Sequence, residues 1–248
     1  MAAVYWASPA LASGRAAALL YQLPGFEDSP LEILTENRKI VPRAGIIVHV
    51  TNRLPSDHRA AIEGIPCTSI ERTLQDLCGI VGKRRGAIAV DHALLRGLTT
   101  LGRIDFCLYL TARRGRRGCG ILREIAQSRA GLTAIPNSPL ETVVLDLISR
   151  SNLPTPHLQA PIHDEADRFV ARPDFVFPDQ RVIVEGHSKM WHLGPEAKRR
   201  DARRHEGLVA LGYEIIYLTW ADVIDYPESA IHTIETTLLG RGWKPWAA

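Results

Sequence analysis

The sequence predicts a mixed α/β (α+β) protein of two domains, residues 1–135 and 136–248. Three observations support this prediction. A chain of 248 residues with 46% hydrophobic content can fill two ordinary cores. Helical periodicity dominates residues 68–129, whereas short apolar strands follow residue 150. Between them, residues 131–137 contain Gly, Pro and Asn, a composition typical of a linker.

The N-terminal domain is expected to be mixed but mainly helical. Thr68 and Glu71 form a Thr-x-x-Glu capping box, which predicts a helix from there through Cys78. The periodicity of apolar residues predicts the other elements: helices at 14–22, 86–96, 100–112 and 118–129, and strands at 31–35 and 46–50.

The C-terminal domain begins with a clear helix signal. Ser138 can cap the helix, Pro139 suits its first position, and Glu141 can reach back to complete a capping box. This helix should end near Ser149. An extended segment, a hairpin, a helix at 195–211, a strand at 213–219 and a helix at 227–239 should follow. The predicted order is α-β-β-β-α-β-α.

Two carboxylates stand out because they occupy the ends of apolar strands in the predicted hairpin. Asp174 precedes Phe-Val-Phe, and Glu185 follows Val-Ile-Val. Ionised carboxylates are costly to bury unless they are paired or bind a metal. A turn of two or four residues near 178–180 would place Asp174 opposite Glu185, whereas a three-residue turn would need a bulge. A divalent cation would explain both carboxylates, and a buried ion pair of Glu185 with Arg172 or Lys189 is the structural alternative.

His187 and Glu185 are two residues apart and should project from the same face of the strand. With a free pKa near 6.5, a histidine there could orient or deprotonate water near neutral pH. The sequence thus offers the parts that a Mg²⁺ or Mn²⁺ dependent phosphodiester hydrolase needs.

The predicted helix at 195–211 carries charged residues on an apolar stripe. The stripe repeats at intervals of four and three residues: Ala197, Asp201, Arg204, Leu208 and Leu211. Asp201 and Arg204 should therefore face the sheet. They could form an ion pair with each other, or Arg200, Arg203 and Arg204 could meet a phosphate beside the metal.

Charge is unevenly distributed between the domains. Residues 1–135 carry 18 Lys and Arg against 11 Asp and Glu, and residues 136–248 carry 12 against 16, so the halves are +7 and −4. A segment in the basic half contains four closely spaced arginines: Arg113, Arg114, Arg116 and Arg117. These arginines could bind nucleic-acid phosphates, or they could form an ordinary solvated charge run.

Cysteine spacing and hydropathy exclude several classes of protein. Cys67, Cys78, Cys107 and Cys119 form no C-x-x-C pair, which argues against a zinc site or a disulfide framework and predicts buried thiols. No segment has the length and hydropathy of a membrane span. We expect cytoplasmic residence.

Residues 136–240 resemble a known family. The resemblance rests on a series of motifs: Ser138-x-Leu140-Glu141, Pro173-Asp174-Phe175, Val184-Glu185-x-His187-x-x-x-Trp191-His192, Arg200-Asp201-x-Arg203-Arg204 and Leu211-Gly212-Tyr213. Together they resemble the Vsr-like domains of the PD-(D/E)XK nuclease superfamily.

The resemblance implies a restriction-endonuclease-like αβββαβ core and Mg²⁺-dependent cleavage of DNA. It implies metal ligands at Asp174 and Glu185, with Glu141 approaching from the first helix and His192 matching the histidine that closes the family's E-x-D-G-x-x-x-H segment. The chain departs from the family pattern, because His187 and Ser188 replace the usual Asp-Gly pair and His205 replaces a common Asp. His187 also takes the place of the superfamily's lysine, which Lys189 could replace. The site could therefore be active through His187, or it could have lost activity.

The N-terminal domain is similar to the middle region of AbiEi-type antitoxin proteins, chiefly in residues 64–77. Those proteins usually begin with a DNA-binding winged helix, for which there is no room before Arg15. Either the winged helix was lost or the start codon lies upstream. The resemblance implies DNA and a co-encoded toxin as partners.

The sequence supports two main hypotheses and a third that nothing excludes. In the first, the protein is a metal-dependent DNA endonuclease that uses Glu141, Asp174, Glu185, His187 and His192. In the second, it is an antitoxin-like or regulatory DNA-binding protein with an inactive nuclease fold. In the third, it hydrolyses a smaller phosphoester.

Overall fold

The computed structural model describes residues 2–41, 43–52, 54–111, 116–187 and 195–245; of Pro195, Ala197 and Lys198 it describes the backbone alone. The chain divides into two compact units, Met1–Ala130 and Gly131–Ala248. The division falls five residues before the boundary expected from the sequence. Each unit mixes helices with sheet, which confirms the mixed α/β class.

Unit 1 contains a five-stranded sheet and five helices among its described residues. The strands are β1 (Ala10–Ala12), β2 (Leu31–Thr35), β3 (Ile46–Val50), β4 (Arg59–Ile62) and β5 (Ile65–Thr68). The helices are α1 (Ala2–Trp6), α2 (Gly14–Leu20), α3 (Ile70–Leu95), α4 (Leu101–Thr111) and α5 (Cys119–Arg129), and Ser56–His58 forms a 3₁₀ turn. The strand order is β3-β2-β1-β5-β4. The sheet is mixed, since β1 pairs antiparallel with β2 but parallel with β5.

Helix α3 corrects two details of the sequence interpretation. Its N-cap is Ser69, whose hydroxyl accepts a hydrogen bond from the Arg72 amide, and not Thr68. The helices expected before Cys78 and at 86–96 form one element with a kink at Gly82, where φ is +76°. Glycine tolerates this left-handed conformation because it has no Cβ.

Helices α2 to α5 enclose one hydrophobic cluster of unit 1, and a second lies between α1, α2 and the sheet. Leu74, Leu77, Ile104, Leu122 and Ile125 are fully buried in one cluster. All four cysteines are free and buried, as the sequence predicted.

Unit 2 contains a four-stranded sheet, a small hairpin and four helices among its described residues. The helices are α6 (Pro139–Ser149), α7 (Pro195–Ala210), α8 (Trp220–Ile224) and α9 (Pro227–Gly240). The strands are β6 (His157–Leu158), β7 (Ile162–His163), β8 (Phe169–Ala171), β9 (Phe175–Phe177), β10 (Val182–Gly186) and β11 (Glu214–Leu218). The main sheet has the order β11-β10-β9-β6, and β7 pairs with β8. The order predicted from the sequence lacked two of the short strands and α8.

Local signals explain the ends of several elements in unit 2. Ser138 caps α6 by accepting a hydrogen bond from the Glu141 amide, as predicted. The reciprocal bond is different from the one expected, since Glu141 Oε2 accepts from the amide of Asn137, at 2.8 Å, and not from that of Ser138. After α7, Gly212 has a φ of +82°, which suits the left-handed residue that commonly ends a helix.

The main sheet of unit 2 is covered on both faces. Val176, Ile183 and Ile215 belong to the cluster that contains Leu208 of α7. Val182 and Val184 flank Ile183 on β10, so they project from the opposite face of the sheet, and both are fully buried. Helices α6 and α9 contact β10 on this face. This two-sided burial explains why β10 has a nearly continuous apolar run until Glu185.

Among the described residues, no helix combines the length and the apolar character needed to cross a membrane.

Candidate active site

The hairpin of β9 and β10 brings the two strand-end carboxylates together. The strands pair antiparallel with Val184 opposite Phe175, and residues 178–181 form a four-residue connection. The strand pairing ends at Val184 and Phe175, and continuing it by one residue would set Asp174 opposite Glu185. The connection has one of the two lengths expected to give this arrangement, and opposite residues of an antiparallel pair project from the same face.

Asp174 directly precedes β9 in the chain and is largely surrounded by other side chains. Its Oδ2 accepts a hydrogen bond from the Gly186 amide at 2.9 Å. Burial, helped by the negative charges of Glu141 and Glu185, raises the pKa of Asp174 to about 6, although the Gly186 amide and Arg204 act in the opposite direction. Asp174 therefore retains a proton more readily than an ordinary aspartate.

Glu185 is buried and partly paired. Its side chain is 9% exposed, and its Oε2 accepts a hydrogen bond from Nη2 of Arg204 at 2.8 Å. Its other oxygen, Oε1, is shielded from solvent and has no hydrogen-bond partner among the described residues. The ion-pair partner is Arg204 and not Arg172; Lys189 lies outside the described residues.

Glu141 reaches the same region from the first turn of α6, as expected. It is 7% exposed. Its Oε2 lies 3.3 Å from Nε2 of Gln159, and the Gln159 amide donates to the Asp174 carbonyl oxygen at 3.0 Å. Gln159 thus joins Glu141 to Asp174. No pattern in the sequence indicates Gln159, because its place depends on the pairing of β6 with β9.

His187 follows the end of β10 at the exposed rim of the site. Its amide donates to the Leu218 carbonyl oxygen at 2.7 Å, which continues the β10–β11 ladder. Its ring meets the ring of Tyr217 edge to face, with centroids 5.6 Å apart. Tyr217 pairs with Glu185 in the parallel register. His187, Tyr217 and Glu185 are therefore neighbours at this end of the sheet.

Tyr217 is a site residue that the sequence interpretation missed. Its hydroxyl lies 3.0 Å from Nδ1 of His205 on α7. Burial and the negative charge of Glu185 raise the pKa of Tyr217, so the phenol remains protonated at neutral pH. Alternation along β11 puts it on the same face as Ile215, but its place beside Glu185 depends on the pairing of β10 with β11.

Among the charged residues of α7 named in the sequence analysis, Arg204 contacts the site, whereas Asp201, Arg200 and Arg203 are exposed. Arg204 contacts Glu185, and it also lies 3.2 Å from Oδ1 of Asp201. The expected pair of Asp201 with Arg204 is present. The expectation that Asp201 faces the sheet is wrong, because its side chain is 59% exposed. Arg200 and Arg203 are exposed as well.

Asp174 and Glu185 carry the carboxylate oxygens that a hard cation such as Mg²⁺ prefers, but two side chains cannot fill its coordination shell. Among the described residues, no group of three or more His, Cys, Asp or Glu side chains could hold a metal ion. Asp174 and Glu185 alone could supply carboxylate oxygens, with water completing the coordination, which is usual for Mg²⁺. The unpartnered Glu185 Oε1 fits such a role.

The structure describes some of the remaining predicted site residues and not others. His192, Ser188, Arg113 and Arg114 lie outside the described residues. Arg116 and Arg117 belong to unit 1, where they line a cavity of that unit.

Comparison with known proteins gives relatives without an assigned function. Two uncharacterized proteins of Mycobacterium tuberculosis, from strains CDC 1551 and H37Rv, are each 29% identical over 224 residues, which cover 89% of this chain and 78% of the relative. No family model matches the chain. No solved structure matches it.

Proposed function

We propose that unit 2 is a metal-dependent DNA endonuclease of the Vsr-like PD-(D/E)XK type. The observation that carries the proposal is the position of Asp174 directly before β9 and of Glu185 near the end of β10, which the antiparallel pairing sets at the same end of the hairpin, where His187 follows. The negative charges of Glu141 and Glu185 contribute to the raised pKa of Asp174, and a bound cation would offset them.

The residues of the site divide the work in this proposal. Asp174 and Glu185 would hold Mg²⁺ or Mn²⁺, and Glu141 with Gln159 would keep Asp174 in place. The bound cation would neutralise charge on the scissile phosphate and help to activate water. His187, which is exposed at the rim, would orient the water or take its proton. His192 would assist as the family resemblance implies.

DNA would lie across the exposed side of α7. Arg200 and Arg203 are exposed there and can contact phosphates without breaking a buried ion pair. Unit 1, with its excess of basic residues, would contribute a second, sequence-independent contact through Arg116 and Arg117, together with Arg113 and Arg114. We place this activity in the cytoplasm.

A second candidate function is DNA binding without cleavage, as in an antitoxin-like regulator that has a co-encoded toxin as its partner. The observation that favours it is the ion pair between Arg204 and Glu185, which stabilises the glutamate without any metal. Unit 1 would then be the main DNA-binding part.

Cleavage assays distinguish the two functions. Purified protein is incubated with supercoiled plasmid and with nicked, mismatched and single-stranded DNA, in Mg²⁺, in Mn²⁺ or in EDTA. An endonuclease should cut at least one substrate only with the metal, and Glu185→Ala should abolish cutting while Glu206→Ala, at an exposed position of α7, should not. Salt-sensitive DNA binding that persists in EDTA, without cutting under any metal, would establish the second function instead. Equal cutting by wild type and Glu185→Ala would eliminate this active site.

A further inference from the structure

Unit 1 contains a polar cavity of about 550 Å³, remote in sequence from the carboxylates of unit 2. Its wall includes Arg72 and Asp76 from α3, and Arg116 and Arg117 from the segment that precedes α5. A second hollow of about 440 Å³ shares Arg116 with the first. Cavities of 300 to 1,000 Å³ are typical of sites for small molecules.

Of the three arginines in this wall, only Arg72 forms an ion pair with a carboxylate of a described residue. Arg72 is 6% exposed, and its Nε lies 2.9 Å from both oxygens of Asp76. Arg116 forms no ion pair with a carboxylate of any described residue. Its nearest described acceptor is the Thr111 carbonyl oxygen, at 3.5 Å from Nη1. Burial and the neighbouring charge of Arg72 lower the pKa of Arg116.

His58, which lines the second hollow, carries an unused hydrogen-bond donor next to Arg72. It is 4% exposed, and its Nδ1 lies 3.4 Å from Nη1 of Arg72. Because a guanidinium can only donate, Nδ1 must accept, and the ring proton is then on Nε2. Nε2 is buried and has no partner among the described residues. Burial and the charges of Arg72 and Arg116 lower the pKa of His58 to about 4, so the ring is neutral at neutral pH.

A hydroxyl in the first cavity is also unsatisfied. Ser13 lines the wall and is 1% exposed, and its Oγ has no hydrogen-bond partner among the described residues. A buried polar group without a partner is costly unless a ligand or water satisfies it. The first cavity thus combines excess positive charge with an unsatisfied hydroxyl, and the second hollow, which shares Arg116 with it, adds the unsatisfied Nε2 of His58.

From this combination we propose that the cavity of unit 1 binds a phosphate ester of nucleotide size, with the guanidinium groups of Arg72 and Arg116 as the principal donors to the phosphate. Guanidinium groups match the geometry of phosphate oxygens, and desolvated pairs of them bind anions more strongly than exposed ones. The site does not use Asp174, Glu185 or any other residue of unit 2. It therefore stands whether or not the protein cleaves DNA.

Isothermal titration calorimetry with the full chain tests this proposal. The probes are inorganic phosphate and deoxyadenosine monophosphate, and deoxyadenosine serves as the probe without a phosphate. We expect the monophosphate to bind at a single site, inorganic phosphate to compete with it, and deoxyadenosine not to bind. Arg116→Ala should weaken binding about tenfold or more, because one charged hydrogen-bond donor is lost, and Arg116→Lys should weaken it less.

Arg123→Ala is the matched control, because Arg123 is exposed on α5 of the same unit and does not line the cavity. It should leave the affinity unchanged. The increase in Tm that the monophosphate produces in wild type should disappear in Arg116→Ala, and this measurement also reports whether the variant is folded. Failure of wild type to bind either phosphate compound at millimolar concentration would overturn the proposal. Equal affinities of wild type and Arg116→Ala for the monophosphate would also overturn it. So would a protein that binds duplex DNA but not the monophosphate, with Arg116→Ala and Arg123→Ala weakening DNA binding equally.

Discussion

Arg204 holds Glu185 at the end of the buried hairpin, with Nη2 of the arginine 2.8 Å from Oε2 of the glutamate. The glutamate is 9% exposed and the arginine 34% exposed, so the pair is only partly screened by water. Removing one partner of such a pair leaves a largely buried charge behind, which costs more than the pair itself contributes.

Arg204→Ala should therefore lower the free energy of unfolding by about 1–3 kcal/mol at neutral pH. Urea denaturation of both proteins measures the difference. Arg203→Ala is the matched control on the same helix, since Arg203 is exposed and its Nε bonds only to the Arg199 carbonyl oxygen at 3.3 Å. We expect the control to change stability by less than about 0.5 kcal/mol. Equal effects of the two substitutions would mean that the Arg204–Glu185 contact contributes nothing specific.

Asp174 should make stability depend on pH in a defined direction. Its pKa is raised from 3.8 to about 6 in the folded protein. A carboxyl with a raised folded pKa binds more protons when folded, so its stabilising effect is complete below the unfolded pKa and is lost as pH rises through the folded pKa. The loss falls between about pH 4 and pH 6.

Asp174→Asn removes this titration while an amide oxygen can still accept from the Gly186 amide. The variant should match wild type near pH 4 and become more stable than wild type, by the order of 1 kcal/mol, above about pH 6. Urea denaturation at intervals from pH 4 to pH 8 measures this. Asp179→Asn, in the exposed turn, is the control and should show no such pH-dependent gap. A constant difference between Asp174→Asn and wild type at every pH would contradict the assignment.

Local signals in the sequence predicted much of unit 2, whereas contacts between distant strands did not follow from it. The start of α6 was predictable because Ser138 and Pro139 act within one turn. The four-residue connection between β9 and β10 was one of the two lengths predicted, because it depends on a single short turn. Tyr217 was missed because its place beside Glu185 requires the parallel pairing of β10 with β11, which no local pattern specifies.

Asp201 shows a further limit of periodicity. The stripe on α7 predicted correctly that Leu208 is buried, and Arg204 reaches Glu185 as a sheet-facing residue should. Asp201, one turn closer to the start of the helix, is 59% exposed. Periodicity gives the angle of a residue around the helix axis, but it does not give the point along the axis at which the helix stops covering the sheet.

In unit 1, Arg129 and Asp91 form a buried ion pair with two hydrogen bonds. Arg129 Nε and Nη2 each lie 2.9 Å from an Asp91 oxygen, and both side chains are almost fully buried. Arg129→Met should lower the free energy of unfolding by about 3–5 kcal/mol, because Asp91 keeps a buried charge without its partner. Urea denaturation monitored by circular dichroism measures the loss.

The double variant Arg129→Met, Asp91→Leu tests the cause of this loss. It removes both charges and replaces them with apolar side chains, so it should recover a large part of the stability that Arg129→Met loses. A double variant that is less stable than Arg129→Met alone would indicate that shape, and not the unpaired charge, dominates at this position.

Gly186 is the last residue of β10, and it is packed closely against α6. A Cβ added at this position would lie 3.2 Å from both Cγ and Cδ2 of Leu140, which is 2% exposed and cannot move outward easily. Gly186→Ala should therefore lower the free energy of unfolding by about 1–2 kcal/mol through overpacking. Gly240→Ala is the control, since a Cβ there meets nothing within 4 Å, and it should be neutral or slightly stabilising.

A double-mutant cycle with Leu140→Ala identifies the clash. Leu140→Ala alone should cost about 2–5 kcal/mol because it leaves a cavity. In that background Gly186→Ala should cost much less than it does in wild type, because its methyl group then fills part of the cavity. An unchanged cost in the two backgrounds would show that Leu140 is not the obstacle. The strain would then come from the strand itself, whose Gly186 amide must stay aligned with Asp174 Oδ2 at 2.9 Å.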